Sequence, residues 1–267
     1  MRQLKKIGII GLGYVGNAVL KSYPWENCVC IDSDPNKYYK GTYDDIMQTG
    51  AIFVCVPSPM NADGSCDTSI LEEVLAKLTK YKGVIISKVT APPDTYRRLG
   101  EEYSNLVYAP EFLTAANAEQ DYLSAKWCVI GGTTPAYMHE AEEYIKQGQT
   151  SVSTVMFSSL EEASLFKYTI NSFLATKVVF MNEVRQLADS IGADYKTIQH
   201  MFRLEPRLGN SHFQVPGPDG TLGFGGACFP KDTEALLKFA QTKGFQLNVL
   251  EAAVKKNTLL RLTDNSK

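Results

Sequence analysis

Cys228 stands at the end of a glycine-rich turn and just before a stretch with helical periodicity. The segment Gly223–Asp232 contains three glycines in four positions, which allow the main chain to turn tightly or to approach a ligand closely. Pro230 then fixes the chain direction, and a helical run is predicted over 233–243. Main-chain N–H groups at the start of a helix favour a thiolate, so Cys228 is a candidate nucleophile. A structural role is the alternative, because most free cysteines behave as small buried hydrophobic residues.

Lys167 and Asn171 form a second candidate group, within a long apolar stretch that precedes this loop. The pattern predicts a helix from about Leu160 to Ser190, capped by Ser158 or Ser159. Residues four apart share one face of a helix, so Lys167 and Asn171 mark either a polar pocket or a solvated edge. The helix is apolar on more than one side, which predicts that it is buried centrally or in a homodimer.

The amino-terminal region carries a dinucleotide-binding pattern. A short buried strand leads into Gly11-Leu-Gly-Tyr-Val-Gly16, and a helix begins after the last glycine. This strand–turn–helix arrangement holds a pyrophosphate at the helix N-terminus. A second strand, Cys28–Ile31, ends at Asp32, where a carboxylate can bind both ribose hydroxyls and repel a 2′-phosphate. The pattern therefore predicts NAD rather than NADP.

The chain is predicted to be an α/β protein of two domains. Strands and helices alternate over 1–157, which indicates a Rossmann-type, doubly wound parallel sheet. Polar residues follow four of the strands and should converge on the carboxyl edge of the sheet: Asp32, Ser58, Thr90 and Glu111. Residues 158–267 lack strand alternation and are predicted to form a helical domain for substrate binding and dimerisation.

Composition and charge exclude several other classes of protein. The net charge of −2 gives no electrostatic footprint for nucleic acid or an anionic membrane, and the apolar runs are too short to span a bilayer. Six scattered cysteines without a secretion signal predict reduced thiols and a cytoplasmic location. The three histidines have no metal-ligand spacing, so no metal is expected.

Six short motifs, in order, carry a resemblance to the UDP-glucose/GDP-mannose dehydrogenase family that extends over nearly the whole chain. The motifs are Gly11–Gly16, Val56–Pro59, Lys88–Pro93, Pro110–Leu113, Lys167 with Asn171 and Asn182-Glu183, and Gly223–Asp232. The chain looks most like the UDP-glucose branch. The resemblance implies oxidation of a nucleotide sugar at C6 to a carboxylate, with UDP-glucose as the expected substrate and two NAD reduced.

The resemblance also implies roles for individual residues. Cys228 would hold the aldehyde as a thiohemiacetal and then a thioester, while Lys167 and Asn171 would stabilise the oxyanion. Asp232 would position Lys167 and a water molecule, and Glu111 with Thr90 would assist proton transfer during hydrolysis. Arg207 would reach the nucleotide sugar of the partner subunit in a homodimer. The residues that the resemblance implies for NAD binding are Gly11, Gly13, Tyr14, Val15, Gly16, Asp32, Lys37, Ser58 and Thr90. Those that it implies for binding of the sugar nucleotide are Glu111, Phe112, Leu113, Lys167, Asn171, Arg207 and Gly225.

The chain departs from the family pattern at several positions. Ala115-Ala116 replaces Glu-Gly, so one carboxylate near the hydrolytic site is missing; Ser58 replaces threonine, and Val89 and Asp94 replace serine and glycine. The chain ends where the family adds a second Rossmann-like domain, so it resembles a short form. Two alternatives stay open: a two-electron enzyme of the 6-phosphogluconate or β-hydroxyacid type, which needs no cysteine, and a non-catalytic binder of NAD or a nucleotide sugar.

Overall fold

The computed structural model describes residues 5–37 and 41–264, which form two compact units. The first comprises Met1–Pro59 and Cys66–Lys167, and the second comprises Met60–Ser65 and Tyr168–Lys267. The sequence predicts the boundary at 157, before the long helix, whereas the units divide inside that helix. Its first turns belong to the first unit because Leu160 and Ala163 pack into a core of the sheet and the Ser164 hydroxyl donates to the Ala91 carbonyl.

The first unit is built on a seven-stranded sheet with the strand order β2-β1-β3-β4-β5-β6-β7. Every neighbouring pair is parallel except β5 and β6, which are antiparallel. The strands are β1 (Ile7–Ile10), β2 (Cys28–Ile31), β3 (Ala51–Val54), β4 (Val84–Ser87), β5 (Leu106–Tyr108), β6 (Trp127–Gly132) and β7 (Thr154–Ser158). The predicted Rossmann-type doubly wound sheet is therefore confirmed, with two strands, β6 and β7, running against the other five.

Helices connect these strands and cover both faces of the sheet. They are α1 (Tyr14–Lys21), α2 (Tyr43–Ile46), α3 (Ser69–Lys77), α4 (Pro93–Glu102), α5 (Ala118–Ser124) and α6 (Pro135–Gly148). One buried cluster contains Ile9, Phe53 and Ile86, and the other contains Ile52, Ile85 and Leu106, because successive side chains of a strand point to opposite faces. The central strands are consequently apolar throughout, as expected for parallel strands buried on both sides.

The second unit is helical. Its elements are α7 (Leu160–Ser190, of which the first turns belong to the first unit), α8 (Tyr195–Leu204), α9 (Phe229–Thr242) and α10 (Asn248–Asp264). The bounds of α7 agree with the prediction, since Ser159 and Glu162 form a reciprocal capping box and Gly192 has a positive φ of 73°. Two small cores join α7 to the rest of the unit, one around Val179, Phe224 and Leu260 and one around Met181, Tyr195 and Phe213.

Four local features differ from the sequence prediction, and the first is that α1 begins at Tyr14, inside the glycine motif, rather than after Gly16. α2 and α5 were not predicted, because they are short and lack a long apolar period. α9 begins at Phe229 rather than near Thr233, since Pro230 in its first turn needs no intrahelical hydrogen-bond acceptor.

Within the described ranges, 5–37 and 41–264, no helix combines the length and the apolar character that crossing a membrane requires.

Candidate active site

The three glycines of the amino-terminal motif each meet a different structural demand. Gly11 adopts a φ of 93°, and a β-carbon there would lie 2.8 Å from the Cys55 carbonyl oxygen. A β-carbon on Gly16 would collide with the Gly11 carbonyl, so Gly16 lets α1 pack against the turn. Apart from Gly13 itself and its two neighbours in the chain, no atom of the described residues lies within 4 Å of the β-carbon position on Gly13. Gly13 therefore leaves open space where a ligand can approach the main chain.

The start of α1 offers hydrogen-bond donors to an anion. Gly13 is the N-cap residue and has no side chain, so no side chain caps the first N–H groups of the helix. Tyr14 is 70% exposed, and Val15 packs against the core of the sheet. Open space at Gly13 together with these N–H groups fits the pyrophosphate of a dinucleotide.

Asp32 and Lys37 both lie beside the glycine turn. The Asp32 carboxylate follows β2 and accepts hydrogen bonds from the N–H groups of Leu12 (2.5 Å) and Asp34 (2.8 Å). The Lys37 ammonium donates to the Leu12 carbonyl at 2.9 Å. The structure thus brings together the two cofactor-site residues that the sequence predicts after β2, and it adds Leu12 as the residue that both of them contact.

The turn after β4 is fixed by side chains from several elements. The Ser58 hydroxyl donates to the Thr90 carbonyl at 2.7 Å, and the Tyr96 hydroxyl donates to the Val89 carbonyl at 2.5 Å. Val89, which stands where the family has serine, is 3% exposed and packs into the core. The predicted convergence of Ser58 and Thr90 on the carboxyl edge is therefore observed as a direct hydrogen bond.

Glu111, in the turn after β5, is held at both of its polar ends. Its carboxylate forms an ion pair with Lys88, and the two side chains are 9% and 1% exposed, respectively. Its main-chain carbonyl accepts a hydrogen bond from the Lys167 ammonium at 2.6 Å. The sequence singles out Glu111 and Lys167 but assigns no role to Lys88, so this ion pair is a feature that sequence reasoning missed.

Phe112 continues this site as the centre of a small aromatic cluster. Its ring centroid lies 5.0 Å from that of Trp127 and 5.8 Å from that of Phe166. The Lys167 ammonium lies 5.0 Å from the centroid of the Phe112 ring, within the range of a cation–π interaction. Leu113 packs against the core of the sheet. The side chain of Lys167 is therefore oriented by the turn that holds Glu111.

Cys228, in the second unit, is exposed and stands as the N-cap residue of α9. Its carbonyl accepts the first hydrogen bond of the helix, from the N–H of Asp232 at 2.8 Å. Gly226, two residues before it, has a φ of 77°, and a β-carbon there would meet nothing within 4 Å in the described part of the chain. The predicted placement of a thiol between a glycine turn and a helix is thus observed.

Asp232 lies one turn into α9 and is 1% exposed. Its carboxylate accepts hydrogen bonds from the Asn171 amide (2.5 Å) and from the Lys231 ammonium (2.5 Å). Asn171 is 6% exposed, so this predicted polar residue of α7 is a buried partner of Asp232 and not a solvated helix edge. The second unit therefore contains an organised polar cluster beside Cys228 in sequence.

Three polar side chains hold the glycine loop, and sequence reasoning assigned a role to none of them. Asn182 on α7 accepts a hydrogen bond from the N–H of Gly223 (3.1 Å). Asn257 on α10 pairs with both the N–H (2.6 Å) and the carbonyl (3.1 Å) of Phe224, and Arg261 donates to the same carbonyl (3.0 Å). A β-carbon on Gly225 would collide with the Arg261 guanidinium, so this glycine allows the arginine to approach the loop.

Arg207 occupies a short 3₁₀ turn, Pro206–Leu208, on the surface of the second unit. Its side chain is 85% exposed and forms two hydrogen bonds with the Glu205 carboxylate, at 2.6 and 3.0 Å. An exposed guanidinium of this kind remains accessible to a further anion.

Comparison with known proteins gives two domain matches. Residues 38–148 match the profile described as "UDP-glucose/GDP-mannose dehydrogenase family, NAD binding domain", and residues 161–259 match the central domain of the same family. A UDP-glucose 6-dehydrogenase of Rickettsia bellii is 30% identical over 94% of this chain. The chain spans only 66% of the length of that relative.

Solved structures show the same fold. The UDP-glucose dehydrogenase of Pyrobaculum islandicum aligns with a TM-score of 0.80 at 26% identity, covering 97% of this chain and 69% of that one. A UDP-D-ManNAc dehydrogenase of Pyrococcus horikoshii aligns with a TM-score of 0.79 at 19% identity, covering 96% of this chain and 69% of that one, which supports the fold alone. The two domain profiles together cover most of the sequence, and the chain belongs to the UDP-glucose/GDP-mannose dehydrogenase family, of which it carries the NAD-binding and central domains.

Proposed function

We propose that this chain carries out the NAD-dependent, four-electron oxidation of a nucleotide sugar at C6, with UDP-glucose converted to UDP-glucuronate. The observation that carries the proposal is the exposed thiol of Cys228 at the start of α9, one helical turn before Asp232, whose buried carboxylate pairs with the part-buried Lys231. A two-electron dehydrogenase has no use for a nucleophile there. The names of the relatives from Rickettsia bellii and Pyrobaculum islandicum favour UDP-glucose among the nucleotide sugars.

Cys228 would act between the two oxidation steps. Its thiolate adds to the C6 aldehyde to give a thiohemiacetal, and oxidation of that adduct gives a thioester. Water then attacks the carbonyl carbon, the C–S bond breaks, and the sulfur leaves as a thiolate with the carboxylate as product. NAD, when bound, would supply the oxidising power as the hydride acceptor of both oxidations.

The other proposed catalytic residues would stabilise the oxyanion and transfer protons. Lys167 is a fixed cation, because the Glu111 carbonyl and the Phe112 ring orient its ammonium, and it would stabilise the oxyanion together with Asn171. Asp232 holds the Asn171 amide at 2.5 Å and would position the attacking water. Glu111 and Thr90 would assist proton transfer during hydrolysis.

The cofactor would bind at the carboxyl edge of the sheet in the first unit. The N–H groups at the start of α1 would hold the pyrophosphate, and Asp32 would bind the adenosine ribose. Lys37 and Ser58 lie at the same edge, fixed to the Leu12 and Thr90 carbonyls. The sugar nucleotide would contact the main chain of Phe112, Leu113 and Gly225, and Arg207 would reach the substrate of a partner subunit.

A homodimer is supported by an apolar stripe on α7. Phe173, Phe180 and Leu187 follow one another at seven-residue spacing and are 67%, 56% and 62% exposed, respectively. Three large apolar side chains on one line of a helix are typical of a helix–helix interface. A second copy of the chain, with its own α7, would cover the stripe and bring Arg207 to the neighbouring site.

The test is NADH formation with a panel of sugar nucleotides: UDP-glucose, UDP-N-acetyl sugars and GDP-mannose. We expect turnover with UDP-glucose and a ratio of two NADH per uronate formed. Turnover with only another sugar nucleotide would show that UDP-glucose is not the substrate, while the proposed four-electron oxidation would stand. Binding of NAD and a UDP-sugar without NADH formation would instead indicate a non-catalytic binder.

The Cys228→Ser variant tests the covalent step. We expect it to lose uronate formation, whereas Cys28→Ser, a matched change of a half-buried thiol on β2, should retain it. Full activity in Cys228→Ala, with one NADH per product, would favour a two-electron dehydrogenase and reject the proposal.

A further inference from the structure

Lys88 and Glu111 form a buried ion pair at the carboxyl edge of the sheet. Lys88 follows β4 directly and Glu111 lies in the turn after β5, so neighbouring parallel strands bring the two side chains together. The side chains are 1% and 9% exposed, which removes them from the screening of bulk water. A charge at such depth needs a partner, and each of these side chains is the partner of the other.

Three titratable groups beside the pair, Cys55, Cys128 and Tyr122, are uncharged near neutral pH. Burial raises the pKa of Cys55 to about 12 and that of Cys128 to about 11, and both thiols lie close enough to feel the charges of Lys88 and Glu111. Burial also raises the pKa of Tyr122 well above its ordinary value. The Lys88 ammonium lies 5.8 Å from the Tyr122 ring centroid and 5.9 Å from that of Phe53. The negative charge of Glu111 is therefore balanced by Lys88.

Lys88 is itself held rigidly. Its main-chain N–H donates to the Val54 carbonyl at 2.8 Å, and the Tyr96 hydroxyl joins Ser87 to the Val89 carbonyl on either side of it. The carboxylate of Glu111 thus meets a cation on a fixed turn, while Lys167 binds the carbonyl of the same residue. Two cations therefore contact Glu111: Lys167 at its main-chain carbonyl and Lys88 at its carboxylate. The carboxylate is the group of the two that can take up a proton.

We propose that Lys88 is a positioning residue that keeps the Glu111 carboxylate ionised and correctly oriented, so that Glu111 can accept a proton from the water that hydrolyses the thioester. This inference rests on the proposed function and deepens it. In the step, the water oxygen bonds to the carbonyl carbon, Glu111 takes the proton, and the C–S electron pair leaves on sulfur.

The first test measures the charge of Glu111 without any substrate. Lys88→Met keeps the length of the side chain and removes the cation. Infrared spectroscopy of this variant should show a protonated carboxyl band that is absent from the wild type and lost again in the double variant Lys88→Met/Glu111→Gln. If Glu111 stays ionised in Lys88→Met, so that no such band appears, the inference is overturned.

The second test follows a single turnover with UDP-glucose and NAD. Lys88→Met should give a full burst of NADH and then a steady-state rate lower by about 10²-fold, because the base for hydrolysis is neutralised. The trapped acyl-enzyme should be visible by intact mass on Cys228. Unchanged hydrolysis in Lys88→Met would overturn the inference.

A structural role for the pair gives a different pattern. Ser164→Ala is a matched control, because Ser164 is buried and fixes the same turn by donating to the Ala91 carbonyl at 2.6 Å. Equal losses of burst amplitude and melting temperature in both variants, without acyl-enzyme, would reject the positioning role. If the wild type forms no NADH with any of the sugar nucleotides, both the proposed function and the hydrolytic role of Glu111 are rejected. The infrared band of Lys88→Met then still decides whether Lys88 sets the charge of Glu111.

Discussion

The Asn171 amide donates a hydrogen bond of 2.5 Å to the Asp232 carboxylate, in a part of the second unit where Asp232 is 1% exposed. The other carboxylate oxygen accepts from Lys231, also at 2.5 Å. A carboxylate so deeply buried is tolerated because both of its oxygens have donors. The polar groups beside Cys228 are therefore part of the folded core and are set in place before any substrate arrives.

Removing the carboxylate should destabilise the protein. Asp232→Ala removes the buried carboxylate that accepts from both the Lys231 ammonium and the Asn171 amide, and the loss of hydrogen bonds to a charged group should cost about 1.5–3 kcal/mol of unfolding free energy. The loss is measured by urea denaturation. Asp189→Ala is the control, because its ion pair with Arg185 is exposed and should contribute less than about 1 kcal/mol. A loss in Asp232→Ala no larger than that of the control would contradict the assignment.

Substitutions at two glycines of the amino-terminal turn should have different effects, one on NAD binding and the other on stability. Gly13→Ala is expected to fold with an unchanged melting temperature, since its φ is −74° and the space around it is open, but to bind NAD at least about tenfold more weakly. Gly16→Ala should instead unfold at a lower temperature, because its β-carbon collides with the Gly11 carbonyl. Calorimetry of NAD binding and thermal melts measure the two effects. Unaltered NAD affinity in Gly13→Ala would place the cofactor elsewhere.

Asn257 should be needed for the shape of the loop that carries Cys228. Asn257→Ala leaves the buried N–H of Phe224 without an acceptor, although Arg261 still donates to the carbonyl. An unsatisfied buried donor costs about 1–3 kcal/mol, measurable by chemical denaturation. Thr258→Ala, on the exposed side of the same helix, should be neutral. Equal stabilities of the two variants would show that Asn257 does not hold the loop.

The sequence predicted the elements whose signals are local. The long helix α7 was placed correctly from Leu160 to Ser190, because a capping box starts it and Gly192 follows it. The reversed direction of β6 and β7 was not predictable, since the hydrophobic pattern of a strand does not indicate its direction in the sheet. Nor were the roles of Lys88 and Asn257, which depend on partners 23 and 33 residues away.

Type and spacing alone make Cys228 a candidate nucleophile with a structural role as the alternative, and its proposed catalytic role comes from the family resemblance. Cys228 follows three glycines and precedes a helix, and both neighbours are contiguous in the chain. The contacts that orient Lys167 could not be derived in the same way, because the Glu111 carbonyl and the Phe112 ring reach it from another part of the first unit. Local pattern therefore predicts where the thiol lies, at a glycine turn before a helix, and only the folded structure reveals the groups that orient Lys167.

Alkylation should distinguish Cys228 from the buried thiols. Burial raises the pKa of Cys30 to about 12 and that of Cys128 to about 11, so both are neutral at pH 7–9, where a thiolate is the reactive form. Iodoacetamide at pH 8 should label the exposed Cys228 at least about tenfold faster than either, by peptide mass mapping. Raising the pH from 7 to 9 should leave the two buried thiols unlabelled, whereas denaturant should expose all six. Faster labelling of Cys30 than of Cys228 would contradict this order.

The apolar stripe on α7 should hold a dimer together. Burial of one large apolar side chain contributes about 1.5–3 kcal/mol, and a two-fold interface uses each residue twice, so Phe180→Glu should convert a dimer to a monomer. Light scattering after size exclusion measures the mass. Phe245→Glu is the matched control, since Phe245 is 70% exposed but lies between α9 and α10 rather than on the stripe. A monomeric wild type would leave the stripe without the proposed partner, and a dimeric Phe180→Glu variant would place the interface on another surface.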